Sequence, residues 1–171
     1  MSNTEKSIIN IRRSIRKYDP AVPVTKEQLD SILEAAMLAP SARNTRPWEF
    51  IAVTKREVLD KIAVDFPNAS MCKTATAAII VVAVPQTDNA IGYYPQDCGA
   101  ATQNILLRAA ELGLGSCWCG VYPRTQTIKA VSPFLNISDG EVPFSIIAIG
   151  EKDEFPSPRG KYEEEKVTWI D

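Results

Sequence analysis

Apolar residues recur along this chain with two different periods, and together they predict helices and strands in alternation. Helical spacing predicts five helices, at about residues 4–13, 25–37, 55–64, 94–112 and 125–131. Short apolar runs predict four strands, at residues 50–53, 77–84, 116–121 and 143–149. The run at 77–84 is apolar at every position, which is typical of a strand buried on both faces. The order predicts an α+β (mixed α/β) fold with one sheet covered by helices.

Capping and turn residues set several boundaries of these elements. Thr25 and Gln28 form a capping box before the second helix, and Gly113 ends the longest one. Gly150 is predicted to end the last strand, after which a polar segment leads to residues 161–171, too few for a second domain. The 171 residues therefore predict a single domain spanning 1–171.

Composition and charge exclude several classes of partner. The formal net charge of −2 provides no general positive field for nucleic acid. No apolar run is long enough to cross a bilayer, and the first residues lack the apolar core of a signal peptide. The sequence thus predicts a cytoplasmic protein that binds neither nucleic acid nor membrane.

The cysteines and the lack of histidine limit the metal sites and catalytic groups that the chain can form. There are four cysteines but no Cys-x-x-Cys and no histidine, which argues against a structural metal site. Cys117 and Cys119 alternate in an apolar stretch and are predicted to be buried on the same face of a strand. Without histidine, the Ser-His-Asp and Cys-His triads are excluded, so a bound cofactor is the simplest source of reactivity.

Three polar motifs indicate an anionic cofactor. They are Arg-Arg-Ser-Ile-Arg-Lys-Tyr at 12–18, Ala-Pro-Ser-Ala-Arg-Asn-Thr-Arg-Pro-Trp at 39–48, and Gly-Leu-Gly-Ser-Cys-Trp-Cys-Gly at 113–120. The glycine-rich phosphate loops of nucleotide-binding proteins are missing, so arginine forks remain for holding a phosphate. Arg12 and Ser14 supply suitable donors, with Arg16 further along the same ligand, although a solvated charge cluster would look similar.

The order and spacing of the three motifs resemble the FMN-dependent nitroreductase family over nearly the whole chain. The resemblance implies a central mixed sheet flanked by helices, in an intertwined homodimer with two FMN sites at the interface. It also implies that the segment from about residue 161 onward wraps the partner subunit.

The same resemblance implies roles for individual residues. Arg12 and Ser14 would hold the FMN phosphate, Arg13 the ribityl chain or flavin edge, and Arg16 the pyrimidine edge. Cations there favour the reduced flavin, because reduction leaves negative charge on that edge. The remaining cofactor contacts implied by the family pattern are Pro40, Ser41 and Asn44 from the other subunit, the backbone at Cys119 and Gly120 near flavin N5, the tail cations Arg159 and Lys161 at the phosphate, and Asn68.

The activity implied is hydride transfer from NADH or NADPH through FMN to a small-molecule electron acceptor, such as a nitroaromatic or a quinone, by ping-pong exchange. No catalytic side chain is required, since the flavin carries the chemistry. The short segment at 85–92 leaves little room for a lid over the site, which suits varied acceptors. Two alternatives remain: a flavoenzyme of another activity, dehydrogenating or flavin-fragmenting, and a non-catalytic flavin-binding module.

Overall fold

The secondary structure follows the predicted order with small shifts at the boundaries. The structure is a computed structural model and describes residues 7–85, 92–157 and 162–170. The helices are α1 (Ile8–Ile11), α2 (Lys26–Met37), α3 (Arg56–Asp65), α4 (Tyr94–Glu111) and α5 (Thr125–Val131). The strands are β1 (Tyr18–Asp19), β2 (Trp48–Val53), β3 (Ala77–Ala83), β4 (Gly115–Gly120) and β5 (Val142–Lys152). Short 3-10 turns lie at Ala42–Asn44, Pro67–Lys73 and Glu164–Lys166.

The sheet is organised around β5, its longest strand. β5 pairs antiparallel with β3, β4 and the short β1, and β3 pairs antiparallel with β2. Along the described chain, β2 and β4 are therefore edge strands. An isolated parallel bridge joins Ser14 to Ser116 beside β4, so the sheet is mixed only at this point.

Helices cover both faces of the sheet, and β3 shows why. All seven residues of β3 are buried, and they alternate between two apolar clusters. Ile80 packs with residues of α3 and α5 on one face, whereas Ile79 packs with α2 and α4 on the other. The Thr25–Gln28 capping box is present at the start of α2. The predicted α+β fold with a central sheet flanked by helices is confirmed.

One part of the apolar surface of α4 is buried in the chain's own core. Cys98, Ala101, Ile105 and Leu106 are buried against the sheet and α2. Ala100, Leu107 and Ala110 of the same helix are only partly buried in the single chain.

Two sequence-based boundaries are wrong for a common reason. Within the described residues the opening helix covers only Ile8–Ile11, and Arg12 already has extended backbone. The last strand does not end at Gly150 but continues to Lys152. In both places the chain is extended because it pairs with another strand: Ser14 bridges to Ser116 of β4 in the segment after α1, and β1 pairs with the end of β5, where the Tyr18 ring packs against Gly150.

Buried thiols should make the fold less stable at high pH. Burial raises the pKa of the Cys72 and Cys98 thiols from 9.0 to about 12. The unfolded chain loses these protons first, so stability present below pH 9 is lost as the pH rises. We expect the free energy of unfolding to fall by about 1.4 kcal/mol per pH unit for each thiol above pH 9. Urea unfolding at several pH values measures this slope, which the Cys98→Ala variant should reduce; an unchanged slope would contradict the assignment.

Candidate functional site

Four of the predicted site residues line one cavity at the end of the sheet. The cavity has a volume of about 350 Å³ and is lined by Arg12, Arg13, Ser14, Arg16, Glu154 and Pro156. The cations come from the segment between α1 and β1, and the other two residues follow β5. The cluster at 12–16 is thus part of a concave site.

Backbone pairing with β4 positions this segment. The Ile15 N–H donates to the Ser116 carbonyl at 3.0 Å, and the buried Ile15 side chain anchors the segment in the core. The Tyr18 hydroxyl donates in turn to the Ile15 carbonyl. Alternate side chains of an extended segment share a side, so Arg12, Ser14 and Arg16 lie opposite Ile15.

Three guanidinium groups and one carboxylate, that of Glu154, line the cavity, so its net charge is positive. Across 7–85, 92–157 and 162–170, no carboxylate oxygen lies within 4.0 Å of the guanidinium nitrogens of Arg12, Arg13 or Arg16. Glu154 accepts the backbone N–H of Arg16 instead. Arg13 donates to the carbonyl oxygens of Arg12, at 2.6 Å, and Ser157, at 3.3 Å. This donor set fits a phosphate, which guanidinium groups and a hydroxyl bind well.

β4 connects the cationic cavity to a second, mainly apolar one. Ser116, which bridges to Ser14, lies four residue steps of extended strand from Gly120, a span of about 13 Å. The second cavity, of about 220 Å³, is lined in part by Asn68, Cys119, Gly120 and Gln126. A Cβ atom added at Gly120 would meet no atom within 4 Å, so a flat group can approach the backbone closely there.

The electrostatic influence of Arg16 reaches the middle of β4. The pKa of the Cys117 thiol lies below its usual value, although burial alone would raise it. The neighbouring Cys119 side chain lowers this pKa most, and the guanidinium groups of Arg16 and then Arg12 lower it further. Both thiols are buried in the same core cluster, as predicted, and Cys119 Sγ lies 3.5 Å from Met71 Sδ. Arg16 therefore lines the cationic cavity and also acts electrostatically on β4.

The second motif lies elsewhere in the chain. Pro40, Ser41 and Asn44 belong to the loop between α2 and β2, and β2 is the edge strand opposite β4. Pro40 and Asn44 are exposed, and none of the three lines either cavity described above. Within one chain this motif is therefore not brought to the cationic cavity.

Comparison with known proteins decides the family. The model of the nitroreductase family matches residues 9–69 and 64–151. The chain belongs to the nitroreductase family. It is 43% identical, over 93% of its length and 83% of the relative's, to a protein of Methanothermobacter thermautotrophicus named as a candidate NADH dehydrogenase/NAD(P)H nitroreductase. A solved structure from Parabacteroides distasonis with the same candidate name has a TM-score of 0.90, 38% identity and 98% coverage of both chains. An FMN-dependent nitroreductase from Clostridium difficile has a TM-score of 0.87 and 35% identity, covering 96% of this chain and 98% of its own.

Membership of the nitroreductase family makes the chain an oxidoreductase enzyme and confirms the resemblance seen in its motifs. Two of the implied phosphate contacts, Arg159 and Lys161, lie outside the described residues. Among the described residues no helix is both long and apolar enough to cross a membrane.

Sequence reasoning missed the part of this nitroreductase's site that follows β5. Glu154 and Pro156 line the cationic cavity, and Glu154 fixes the backbone at Arg16. The sequence there is a short polar stretch with proline, which has no period and resembles any surface loop. These residues lie beside the arginines because β5 continues past Gly150 to Lys152.

Proposed function

We propose that this nitroreductase family member binds FMN along β4 and uses NADH or NADPH to reduce a small-molecule electron acceptor, such as a nitroaromatic or a quinone. The observation that carries the proposal is the cavity near one end of β4, whose three guanidinium groups have no carboxylate partner within 4.0 Å among the described residues, together with the open backbone at Gly120 at the other end. The names of the relatives support both cofactors.

In this proposal the chain's own residues bind and tune the cofactor. Arg12, Arg13 and Ser14 hold the phosphate, and Arg16 presents a positive charge to the pyrimidine edge, where it favours the reduced state. When bound, FMN accepts hydride from the nicotinamide donor and passes electrons to the acceptor. Asn68 and Cys119 line the cavity beside Gly120, and their contacts with the ring remain part of the proposal.

A second subunit would complete the site. Tyr162, Trp169 and Ile170 are 70, 75 and 94% exposed in the single chain, an unusual degree for large apolar side chains near one another in sequence. A homodimer in which this tail packs on the partner would cover them. The same assembly would bring Pro40, Ser41 and Asn44 to the partner's cofactor. We therefore propose that the protein is a homodimer, and that it is located in the cytoplasm.

The visible spectrum of the purified protein tests the cofactor and the activity together. We expect flavin absorption bands that bleach on anaerobic addition of NADH or NADPH and recover when a quinone or nitroaromatic is added. Double-reciprocal plots for donor and acceptor should be parallel, because both substrates use one site in turn. A colourless protein that binds no added FMN would refute the proposal; flavin that neither nicotinamide reduces would favour another flavoenzyme activity or a binding module.

Substitutions at two glycines of β4 should have different effects on stability and on FMN binding. An added Cβ at Gly115 would lie 2.7 Å from Ile15 Cγ2 and 2.9 Å from Lys152 Cγ, whereas at Gly120 it would meet nothing. We expect Gly115→Ala to lower the free energy of unfolding by about 1–3 kcal/mol. Gly120→Ala should change it by less than about 0.5 kcal/mol and still weaken FMN binding. Urea unfolding and FMN titration of both variants check this; equal loss of stability in the two would contradict it.

A further inference from the structure

Asp97 is a buried carboxylate that the proposed function does not use. It lies in the first turn of α4 and is 6% exposed. One carboxylate oxygen, Oδ1, accepts the backbone N–H of Ala42 at 3.0 Å, across 55 positions of sequence. The other, Oδ2, is buried and has no hydrogen-bond partner among the described residues. A carboxylate with one oxygen unpaired is costly to bury, so its single contact calls for an explanation.

That contact reaches a loop with an unusual backbone. Arg43, Asn44 and Arg46 have φ angles of 53, 56 and 49°, in the left-handed region that side-chain-bearing residues rarely adopt. Three such residues within four positions need surrounding contacts to keep their conformation. The loop supplies several of these itself: Ser41 Oγ accepts the Arg46 N–H and Thr45 Oγ1 donates to the Ala42 carbonyl, both at 2.9 Å. The main-chain N–H groups of Asn44 and Thr45 also donate to the carbonyls of Ser41 and Ala42.

The bond from Asp97 joins this loop to the core. Helix α4 packs against β3, β5 and α2, so its first turn is a fixed point, and its N-terminus favours a negative charge. Asp97 does not cap its own helix, because the capping position, Tyr93, has no side-chain hydrogen bond and Asp97 Oδ1 accepts from the loop. Hydrogen bonds to a charged acceptor are stronger than those to a neutral one, so the bond from the Ala42 N–H to Asp97 can hold the loop against α4.

We propose that Asp97 is a positioning residue that holds the loop at 41–46 in its left-handed conformation, and thereby presents Ser41 and Asn44 to the FMN of the partner subunit. The first half concerns this chain alone. The second half rests on the proposed function, in which those two side chains complete the partner's site.

Trypsin cleavage after Arg43 tests the first half without requiring a cofactor. Arg43 is exposed, whereas Arg46 precedes Pro47 and resists trypsin. Cleavage of a native loop follows the fraction of time it is open. We expect Asp97→Ala to accelerate cleavage after Arg43 by about tenfold, and Asp97→Asn, which keeps the Oδ1 acceptor, to stay within about threefold of the unmodified chain. Cleavage after Arg124, in an exposed loop before α5, is the internal control and should not change.

A second variant removes the donor instead of the acceptor. Ala42→Pro deletes the N–H that Asp97 binds, and Ser41 already has the extended backbone that a residue before proline prefers. It should accelerate cleavage after Arg43 as Asp97→Ala does, and the double variant should add little, because both changes break the same bond. Additive effects, or cleavage unchanged in both single variants, would overturn the anchoring role.

FMN titration of the same proteins, stripped of flavin, tests the second half. Asp97→Ala should weaken FMN binding about tenfold while Asp97→Asn retains it. Faster cleavage with unchanged FMN affinity would overturn the role of the loop at the cofactor. If the unmodified chain binds no FMN at all, both the proposed function and this second half are wrong. The cleavage rates would still show whether Asp97 holds the loop.

Discussion

Replacing Arg12 with alanine is expected to weaken FMN binding by about 100-fold while leaving the fold intact. Arg12 lines the cationic cavity and has no carboxylate partner within 4.0 Å in the part of the chain that the structure describes. Its guanidinium group is therefore available to a phosphate, and truncating one member of a close charge pair costs about 2–5 kcal/mol. Because no ion pair of the protein is lost, the free energy of unfolding should change by less than about 0.5 kcal/mol.

Arg124→Ala is the matched control for this prediction. Arg124 is an exposed arginine before α5 that lines neither of the two cavities, so its removal changes the net charge equally and leaves the lining of both cavities unchanged. FMN affinity is measured by quenching of flavin fluorescence, and stability by urea unfolding. If both variants bind FMN as the unmodified chain does, the cavity at 12–16 is not the phosphate site.

Replacing Arg16 with alanine should have a different effect, because Arg16 acts on the middle of β4. The guanidinium group of Arg16 lowers the pKa of the Cys117 thiol more than that of Arg12 does, and the Arg16 backbone N–H donates to Glu154. A cation beside the flavin pyrimidine stabilises the charge gained on reduction. Its loss should leave FMN bound and make the two-electron reduction potential about 30–90 mV more negative, the electrostatic effect of one charge a few ångströms away.

Lys17→Ala removes the same charge one residue further along and serves as the control. Lys17 shares a cavity with Arg16 but is not among the cations that act on Cys117. Redox titration with a dye of known potential measures both variants. A potential unchanged in Arg16→Ala, or shifted equally in Lys17→Ala, would show that Arg16 has no specific place beside the ring.

The sequence predicted best the elements whose signals are local. The capping box before α2, the seven apolar residues of β3 and the exact limits of α5 depend on neighbours in the chain. The pairing of β1 with the end of β5 could not be predicted in the same way, because Tyr18 and Lys152 are far apart in sequence and β1 has only two residues. A two-residue strand has no period to detect.

The same distinction holds for the candidate site. Arg12, Ser14 and Arg16 were found because they form a dense motif, even though a helix end was predicted where the chain is extended. Asp97 was missed, since a single acidic residue in the first turn of a helix is ordinary in sequence. Its partner Ala42 lies 55 positions away, and the left-handed backbone between Arg43 and Arg46 carries no glycine to reveal it.

The position of β4 at the edge of the sheet limits what mutagenesis can reveal about this enzyme. One side of β4 is paired with β5, and beyond the bridge at Ser116 its other side has no strand partner within the described chain. A ligand lying along that side meets main-chain N–H and C=O groups, which no side-chain substitution removes. Truncating side chains to alanine should therefore weaken binding mainly at the arginine end of the proposed site, whereas at the Gly120 end only an added side chain, as in Gly120→Ala, should weaken it. The main-chain contacts themselves can be tested by changing the backbone, for example with an ester in place of an amide.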